Sequence, residues 1–150
     1  MREEIKLRDV TADNWQAVVA LELDPDQVEL VASNAESLEE AQYDPDARPR
    51  VVYAGDRIVG FLMYDPGEAD DEEREATIYR FMIDRHFQGK GYGRGALAAA
   101  LKEIEAIVGI RKVSIGYMPE NPITRQFYAS LGFKEVGLDE DGEMIAELVF

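Results

Sequence analysis

The stretch Gln88-Gly89-Lys90-Gly91-Tyr92-Gly93-Arg94-Gly95 decides the fold. It follows residues 75–84, which are typical of a strand, and precedes an alanine-rich pattern that predicts a helix to about Val108. Glycines between a strand and a helix allow successive backbone N–H groups to point into one concavity. The free N–H groups and the dipole of the first helical turn add to it. The spacing therefore predicts a diphosphate-binding loop with Lys90 and Arg94 at its flanks.

Three kinds of phosphate-binding loop are candidates for this stretch. A P-loop requires Gly-x-x-x-x-Gly-Lys-Ser/Thr, which is absent. A dinucleotide fingerprint requires Gly-x-Gly-x-x-Gly, but counted from Gly89 or Gly91 its third glycine falls on Arg94 or Ala96. The spacing that fits is Gln88-x-x-Gly-x-Gly, which resembles the Gln/Arg-x-x-Gly-x-Gly/Ala element of the GNAT acetyltransferase superfamily. On this element alone, glycines that merely pack a helix against a strand remain an alternative.

A second element supports the resemblance. Residues 121–133, Asn-Pro-Ile-Thr-Arg-Gln-Phe-Tyr-Ala-Ser-Leu-Gly-Phe, resemble the C-terminal Asn-x-x-Ala-x-x-x-Tyr-x-x-x-Gly-Phe block of the same family, with Thr124 in place of the alanine. A helix that begins after Asn121 carries Tyr128 one to two turns along it, and Gly132 ends that helix. Taken alone, Tyr128 would more often be a half-buried aromatic residue. Two elements in the family's order favour a catalytic tyrosine instead.

The rest of the chain predicts the order β-α-α-β-β-β-α-β-α-β-β, an α/β sandwich with one mixed sheet. The resemblance implies the GNAT fold, a single domain over residues 1–150 with a mostly antiparallel central sheet flanked by helices. The expected strands are residues 5–9, 50–54, 57–64, 75–84, 112–117, 133–136 and 144–150. Of the four expected helices, the first is capped by Thr11 or Asp13 and has Trp15, Val18, Val19 and Leu23 on one face. The second covers residues 25–41, either whole or divided at Ser33-Asn34, and the fourth covers residues 123–131. The third is ended by Gly109 and has Leu97, Leu101, Ile104 and Val108 on its apolar face.

Composition and charge exclude several functions. The net charge of −15 argues against a nucleic-acid partner, and no apolar run is long enough to cross a membrane. The chain has no cysteine and a single histidine, so we expect no disulfide, no acyl-cysteine intermediate and no metal site. Its expected compartment is the cytoplasm. Residues 20–75 contain 17 acidic side chains against four arginines, whereas Asp84 is the only acid in residues 80–94. This asymmetry indicates an anion held by the second segment and a cation drawn to the first, or an acidic surface that only maintains solubility.

The resemblance also assigns roles to individual residues. It implies that acetyl-CoA is the cosubstrate, that its thioester carbonyl is held by strand backbone near Phe81, Met82 and Ile83, and that an amine attacks it directly. Tyr128 is then the acid that protonates the departing sulfur, because a phenol and a thiol have neighbouring pKa values. The remaining cofactor contacts are expected from Gln88, Gly89, Lys90, Gly91, Tyr92, Gly93, Arg94, Asn121 and Arg125.

Within the family, the chain looks most like bacterial spermine/spermidine acetyltransferases. The stretches that carry this likeness are Gln27, Ser33, Leu38-Glu39, Ala41, residues 60–64 and 80–84, Gly137-Leu138-Asp139 and Gly142-Glu143. The implied substrate is a small cationic amine, and carboxylates are the side chains that attract a polycation. The expected substrate-binding residues are Glu22, Asp26, Glu29, Glu75 and Tyr79.

Tyr79 departs from those relatives, which have an acidic residue at the matching position. An amine with a pKa of ~10 must lose a proton before it attacks, so a base is required. Glu75, Glu22, Glu29 and His86 are candidates, and the sequence does not choose among them. Another amine (an aminoglycoside, a peptide N-terminus or lysine) and a non-catalytic acyl-CoA sensor remain alternatives. The family commonly dimerises, so a homodimer is also implied, although the sequence indicates no face for it.

Overall fold

The computed structural model describes residues 4–23 and 33–150. Its elements follow the order predicted from the sequence. The strands are β1 (Ile5–Asp9), β2 (Arg48–Ala54), β3 (Arg57–Asp65), β4 (Glu75–Ile83), β5 (Lys112–Tyr117), β6 (Lys134–Leu138) and β7 (Met144–Val149). The helices are α1 (Trp15–Val19), α2 (Asn34–Tyr43), α3 (Tyr92–Glu105) and α4 (Pro122–Ser130), with a short 3-10 turn at Arg85–Phe87.

One seven-stranded sheet in the order β1-β2-β3-β4-β5-β7-β6 forms the centre of the molecule. Neighbouring strands are antiparallel except for β4 and β5, which are parallel. The expected mixed and mostly antiparallel sheet is therefore confirmed. The β4–β5 pairing begins at Glu75↔Lys112 and ends at Ile78↔Ile115, although β4 continues to Ile83 and β5 to Tyr117. The two strands thus separate beyond this pair and leave an opening in the sheet.

The sheet has a core on each face. On one face α3 buries Leu97, Ala100 and Ile104 against Ile78 of β4 and Val113 of β5. Burial of a leucine, isoleucine or valine side chain contributes ~1.5–3 kcal/mol relative to leaving it exposed. On the other face α1 and α2 cover β2, β3 and the end of β4, and the buried residues there are Val18, Ala47, Val51, Phe61, Met63 and Met82.

The first helix differs from the expectation. The residue before α1 is Asn14 rather than Thr11 or Asp13, and its side-chain oxygen accepts a hydrogen bond from the Thr11 N–H at 2.7 Å. Val18 is fully buried, but Trp15 is 45% and Val19 is 40% exposed. The expected shared apolar face was wrong because five residues make barely more than one turn, and such a helix turns only one side chain fully inward.

The ends of two other helices also differ from the expectation. α3 ends at Glu105, and Val108 is 89% exposed in the following turn, where its carbonyl accepts a hydrogen bond from Arg74. Gly109, at φ +89°, belongs to the turn into β5 and does not end the helix. α2 begins after Ser33, whose hydroxyl accepts the Glu36 N–H at 3.1 Å, so the chain does divide there. The expected helical residues 25–32 lie outside the described residues.

Candidate active site

The glycine-rich loop presents a row of free backbone donors. Gly89 and Gly91 have φ values of +79° and +83°, a region that side chains other than glycine rarely adopt. A Cβ at either position would meet no protein atom within 4 Å, so the space above the loop is open. Among the described residues, no acceptor receives the N–H groups of Gly89 to Arg94, and the first helical bond runs from the Gly95 N–H to the Gly91 carbonyl at 3.1 Å. This arrangement at the start of a 14-residue helix fits a diphosphate.

Cationic and aromatic side chains border this loop. The Lys90 ammonium lies 5.8 Å from the centre of the Phe87 ring and is exposed to solvent. The Arg94 guanidinium is directed toward α4, where it donates to the Ser130 hydroxyl at 2.6 Å and lies 5.6 Å from the centre of the Phe127 ring. Gln88 donates through its side-chain amide to the Ile83 carbonyl at 3.0 Å, which fixes the loop to the end of β4. Lys90 is therefore the cation better placed to meet a phosphate.

The opening between β4 and β5 lies just before this loop. Phe81, Met82 and Ile83 pair with β3 along one edge, and their other edge faces the opening. A bulge at Tyr79 shifts the alternation of β4, because Met63 pairs with Arg80 while Tyr64 pairs with Ile78. After the bulge, Phe81 and Ile83 pack toward α3, whereas Met82 faces α1. The free backbone edge of β4 thus borders the opening close to the glycine loop.

Tyr128 lies in an aromatic cluster beside the opening. It is 8% exposed, stacks on Tyr117 at 5.2 Å between ring centres, and meets Phe127 and Phe133 edge-on. Burial, and then the nearby Tyr117, raise the pKa of Tyr128 well above its ordinary value. None of the residues in 4–23 and 33–150 hydrogen-bonds to its hydroxyl. A protonated phenol next to the strand opening is suited to donating a hydrogen bond.

The other two residues expected along the cofactor have partners within the protein. The Asn121 side-chain oxygen accepts the N–H groups of Ile123 at 3.1 Å and Thr124 at 3.2 Å, so it caps α4. Arg125 makes a two-bond ion pair with Glu135 at 3.0 and 2.8 Å. The structure therefore does not bring the Arg125 guanidinium to the glycine loop.

The candidates for amine binding lie at different distances from the opening. Tyr79 directly follows the last β4–β5 pair, and its hydroxyl is buried without a hydrogen-bond partner among the described residues. Burial, and then three neighbouring carboxylates, raise the pKa of Tyr79 to about 12. Glu75 is at the far end of β4, with an oxygen 3.6 Å from the Lys112 ammonium, so it does not join Tyr79. Asp26 and Glu29 lie outside the described residues.

Asp84 ties the segment after α1 to the glycine loop, and sequence reasoning missed it. Its side chain, in a residue only 5% exposed, accepts the Glu22 N–H at 2.8 Å, the His86 N–H at 2.9 Å and the His86 ring Nδ1 at 2.8 Å. Burial alone would raise the pKa of Asp84, but these hydrogen bonds outweigh it and hold the pKa below its ordinary value. The Glu22 carbonyl also accepts the Arg85 N–H at 2.8 Å. Glu22 is thereby held beside the loop, and no local sequence signal marks such a long-range contact.

In the part of the chain that the structure describes, no group of three or more His, Cys, Asp or Glu side chains could hold a metal ion. None of the helices described there is long and apolar enough to cross a bilayer.

Comparison with known proteins identifies the family. Residues 14–133 match the Acetyltransferase (GNAT) family. The chain is 30% identical over 150 residues to a probable spermine N(1)-acetyltransferase of Bacillus subtilis subsp. natto (strain BEST195), with 96% of this chain and 99% of that protein covered. It is 29% identical, with the same coverage, to the spermine/spermidine N(1)-acetyltransferase of Bacillus subtilis (strain 168). The crystal structure of the aminoglycoside acetyltransferase AAC(6')-Ib with coenzyme A superposes with a TM-score of 0.79 at 16% identity, covering 97% of this chain and 95% of that one. The chain belongs to the GNAT family and is an N-acetyltransferase whose cosubstrate is acetyl-CoA.

Proposed function

We propose that this enzyme transfers the acetyl group of acetyl-CoA to a primary amine of a polyamine such as spermine or spermidine, by direct attack in a ternary complex. The observation that carries the proposal is the opening between β4 and β5, which adjoins the free donors of the glycine loop on one side and acidic residues on the other. Relatives named for spermine and spermidine acetylation match 96% of the chain, which supports the same substrate class here.

The cofactor half of the proposal rests on backbone groups. The N–H groups of Gly89 to Arg94 would bind the diphosphate of coenzyme A, and the exposed ammonium of Lys90 would add a charge. The free edge of β4 at Phe81, Met82 and Ile83 would hold the thioester carbonyl. Backbone donors are fixed before the ligand arrives, so they bind it at little entropic cost.

Tyr128 would act as the acid. Its pKa is raised by burial, so the phenol stays protonated across the physiological pH range. A protonated phenol can donate to the sulfur as the carbon–sulfur bond breaks and negative charge develops there. Stacking on Tyr117 holds the ring beside the end of β5, where that charge would appear.

The amine would enter from the face of the sheet that carries α1 and α2. Asp44, which follows α2, Glu40 of α2 and Asp65 of β3 are carboxylates that help to raise the pKa of Tyr79. Each outweighs the opposing charge of Arg80, so the potential on this side is negative. A negative potential attracts a polycation and increases its association rate. Glu22, whose backbone is held beside the loop by Asp84 and Arg85, adds a carboxylate to this field. No residue is assigned as the base, and the cytoplasmic location and the homodimer stay predictions.

A CoA-release assay over a panel of amines tests the proposal. At saturating acetyl-CoA, we expect kcat/KM to be at least tenfold higher for spermine and spermidine than for an aminoglycoside, lysine or a peptide N-terminus. A higher value for one of the other amines would reassign the substrate. A protein that binds CoA but releases none with any amine would be a sensor rather than an enzyme acting on polyamines.

A further inference from the structure

The carboxylate of Glu143 lies at the edge of the strand opening. Glu143 immediately precedes β7, and its backbone is fixed by two hydrogen bonds with Asp139, one from the Glu143 N–H at 2.9 Å and one to its carbonyl at 2.8 Å. A Cβ added at Gly116 would lie only 3.3 Å from a Glu143 carboxylate oxygen. Gly116 is the first residue of β5 after the last pair with β4, as Tyr79 is the first on β4.

The alternation of β5 shows which face of the sheet Glu143 occupies. Ile115 and Tyr117 are buried in the core beneath α3 and α4. Gly116, between them, must therefore face the opposite side, because successive strand residues alternate. Tyr79 packs on that same side, in the core beneath α1 and α2. Tyr79 and Glu143 thus flank the opening from the face by which we propose the amine enters.

Glu143 and Glu147 differ in their charge partners. Glu143 is a half-buried residue, and its carboxylate has neither an ion pair nor a side-chain hydrogen bond within residues 4–23 and 33–150. Glu147, four residues later on the same face of the sheet, lies 3.2 Å from the Lys112 ammonium. A carboxylate that has no cation of its own favours a cationic ligand.

We propose that Glu143 binds an ammonium group of the amine other than the one that is acetylated, and so makes the enzyme prefer polyamines to monoamines. This inference rests on the proposed function. The absence of a side chain at Gly116 is required for this role, because a Cβ there would crowd the Glu143 carboxylate that the second ammonium group must reach.

The test compares Glu143→Gln with the matched control Glu147→Gln. The measurements are kcat and KM for spermidine and for hexylamine, a monoamine of similar length, at saturating acetyl-CoA. In Glu143→Gln we expect KM for spermidine to rise about 5- to 20-fold, between the losses typical of exposed ion pairs and of partly buried charged hydrogen bonds. KM for hexylamine and both kcat values should change less than twofold. Glu147→Gln should leave both amines unaffected, since its carboxylate is already paired with Lys112.

Two results would overturn this inference alone. One is an unchanged spermidine KM in Glu143→Gln, and the other is an equal rise of KM for both amines, which would indicate a change in fold. A wild-type enzyme that does not acetylate spermidine would refute the proposed function and this inference together. Gly116→Ala is a second variant if Glu143→Gln folds poorly: it keeps the carboxylate but displaces it, and it should also raise KM selectively for spermidine.

Discussion

Replacing Gly91 by alanine should weaken coenzyme A binding far more than it destabilises the protein. Gly91 has a φ of +83°, and holding an alanine there costs about 1–2 kcal/mol. The added methyl group meets no protein atom within 4 Å, so this backbone strain is the whole cost in the free enzyme. For a chain of 150 residues, such a loss corresponds to a fall in Tm of about 2–8 °C.

The effect on the cofactor has a different origin. The methyl group projects into the open space above the loop, where the diphosphate would lie against the free N–H groups. Losing one hydrogen bond to a charged group costs ~1.5–3 kcal/mol, which corresponds to a roughly 10- to 100-fold higher Kd for CoA. Isothermal titration calorimetry with CoA measures this directly, at a temperature well below either Tm.

Gly142→Ala is the matched control. Gly142 lies between β6 and β7, has the same φ of +83° as Gly91, and an added Cβ there would likewise meet no protein atom within 4 Å. This variant should therefore lose about as much stability as Gly91→Ala, and it should bind CoA normally. Wild-type CoA affinity in Gly91→Ala, or an equal loss in Gly142→Ala, would refute the reasoning that the loop cradles the diphosphate.

Further predictions concern tyrosines and the buried aspartate. Tyr128→Phe should lower kcat about 100- to 10,000-fold without changing CoA affinity, because it removes the proton donor; unchanged turnover would exclude the phenol as the acid. Tyr64→Phe should lower the free energy of unfolding in urea by about 1–3 kcal/mol and leave kcat/KM intact, because it removes a 2.6 Å hydrogen bond to Glu103 far from the loop; unchanged stability would contradict this. Raising the pH above ~10 should reduce the free energy of unfolding, because burial and a hydrogen-bonded carboxylate raise the pKa of Tyr117 to about 12, and the unfolded chain loses its phenolic proton first. Urea unfolding at pH 8 and pH 11 should show a smaller decline in Tyr117→Phe, and an equal decline would disprove that assignment. Asp84→Asn should raise KM for the amine more than the Kd for CoA, because Asp84 holds the backbone after α1; equal changes would indicate a purely structural role.

The elements that could be predicted are those with a local cause. β5 was expected over residues 112–117 and has those bounds, since its alternating apolar side chains are themselves the signal. The glycine loop was recognisable because a phosphate site needs glycine where the backbone takes a positive φ, and Gly89 and Gly91 do so. Asn121 was expected to precede a helix, and it caps α4.

The features that could not be predicted depend on contacts between distant parts of the chain. The end of α3 is an example, because the apolar spacing continues to Val108 while a hydrogen bond from Arg74 holds that residue in a turn outside the helix. Arg125 was expected at the cofactor but pairs with Glu135 of β6, ten positions along the chain. Neither partner is marked by its own surroundings in the sequence. Pairing of this kind becomes visible only once the strands are in register.

Tyr79, where the resemblance to polyamine acetyltransferases predicts an acidic residue, is also the position where the sheet becomes irregular. As the extra residue of the bulge on β4, it turns its side chain toward α2 and shifts the alternation of every later residue on the strand. Bulges increase the local twist of a strand, and the β4–β5 pairing ends at the residue just before this one, Ile78. The same irregularity therefore accounts for the opening that would admit the thioester and for the side chain that would face the amine. An acidic residue is not needed at this point to produce the geometry, and negative charge can come instead from Glu143 across the opening and from the carboxylates of α2.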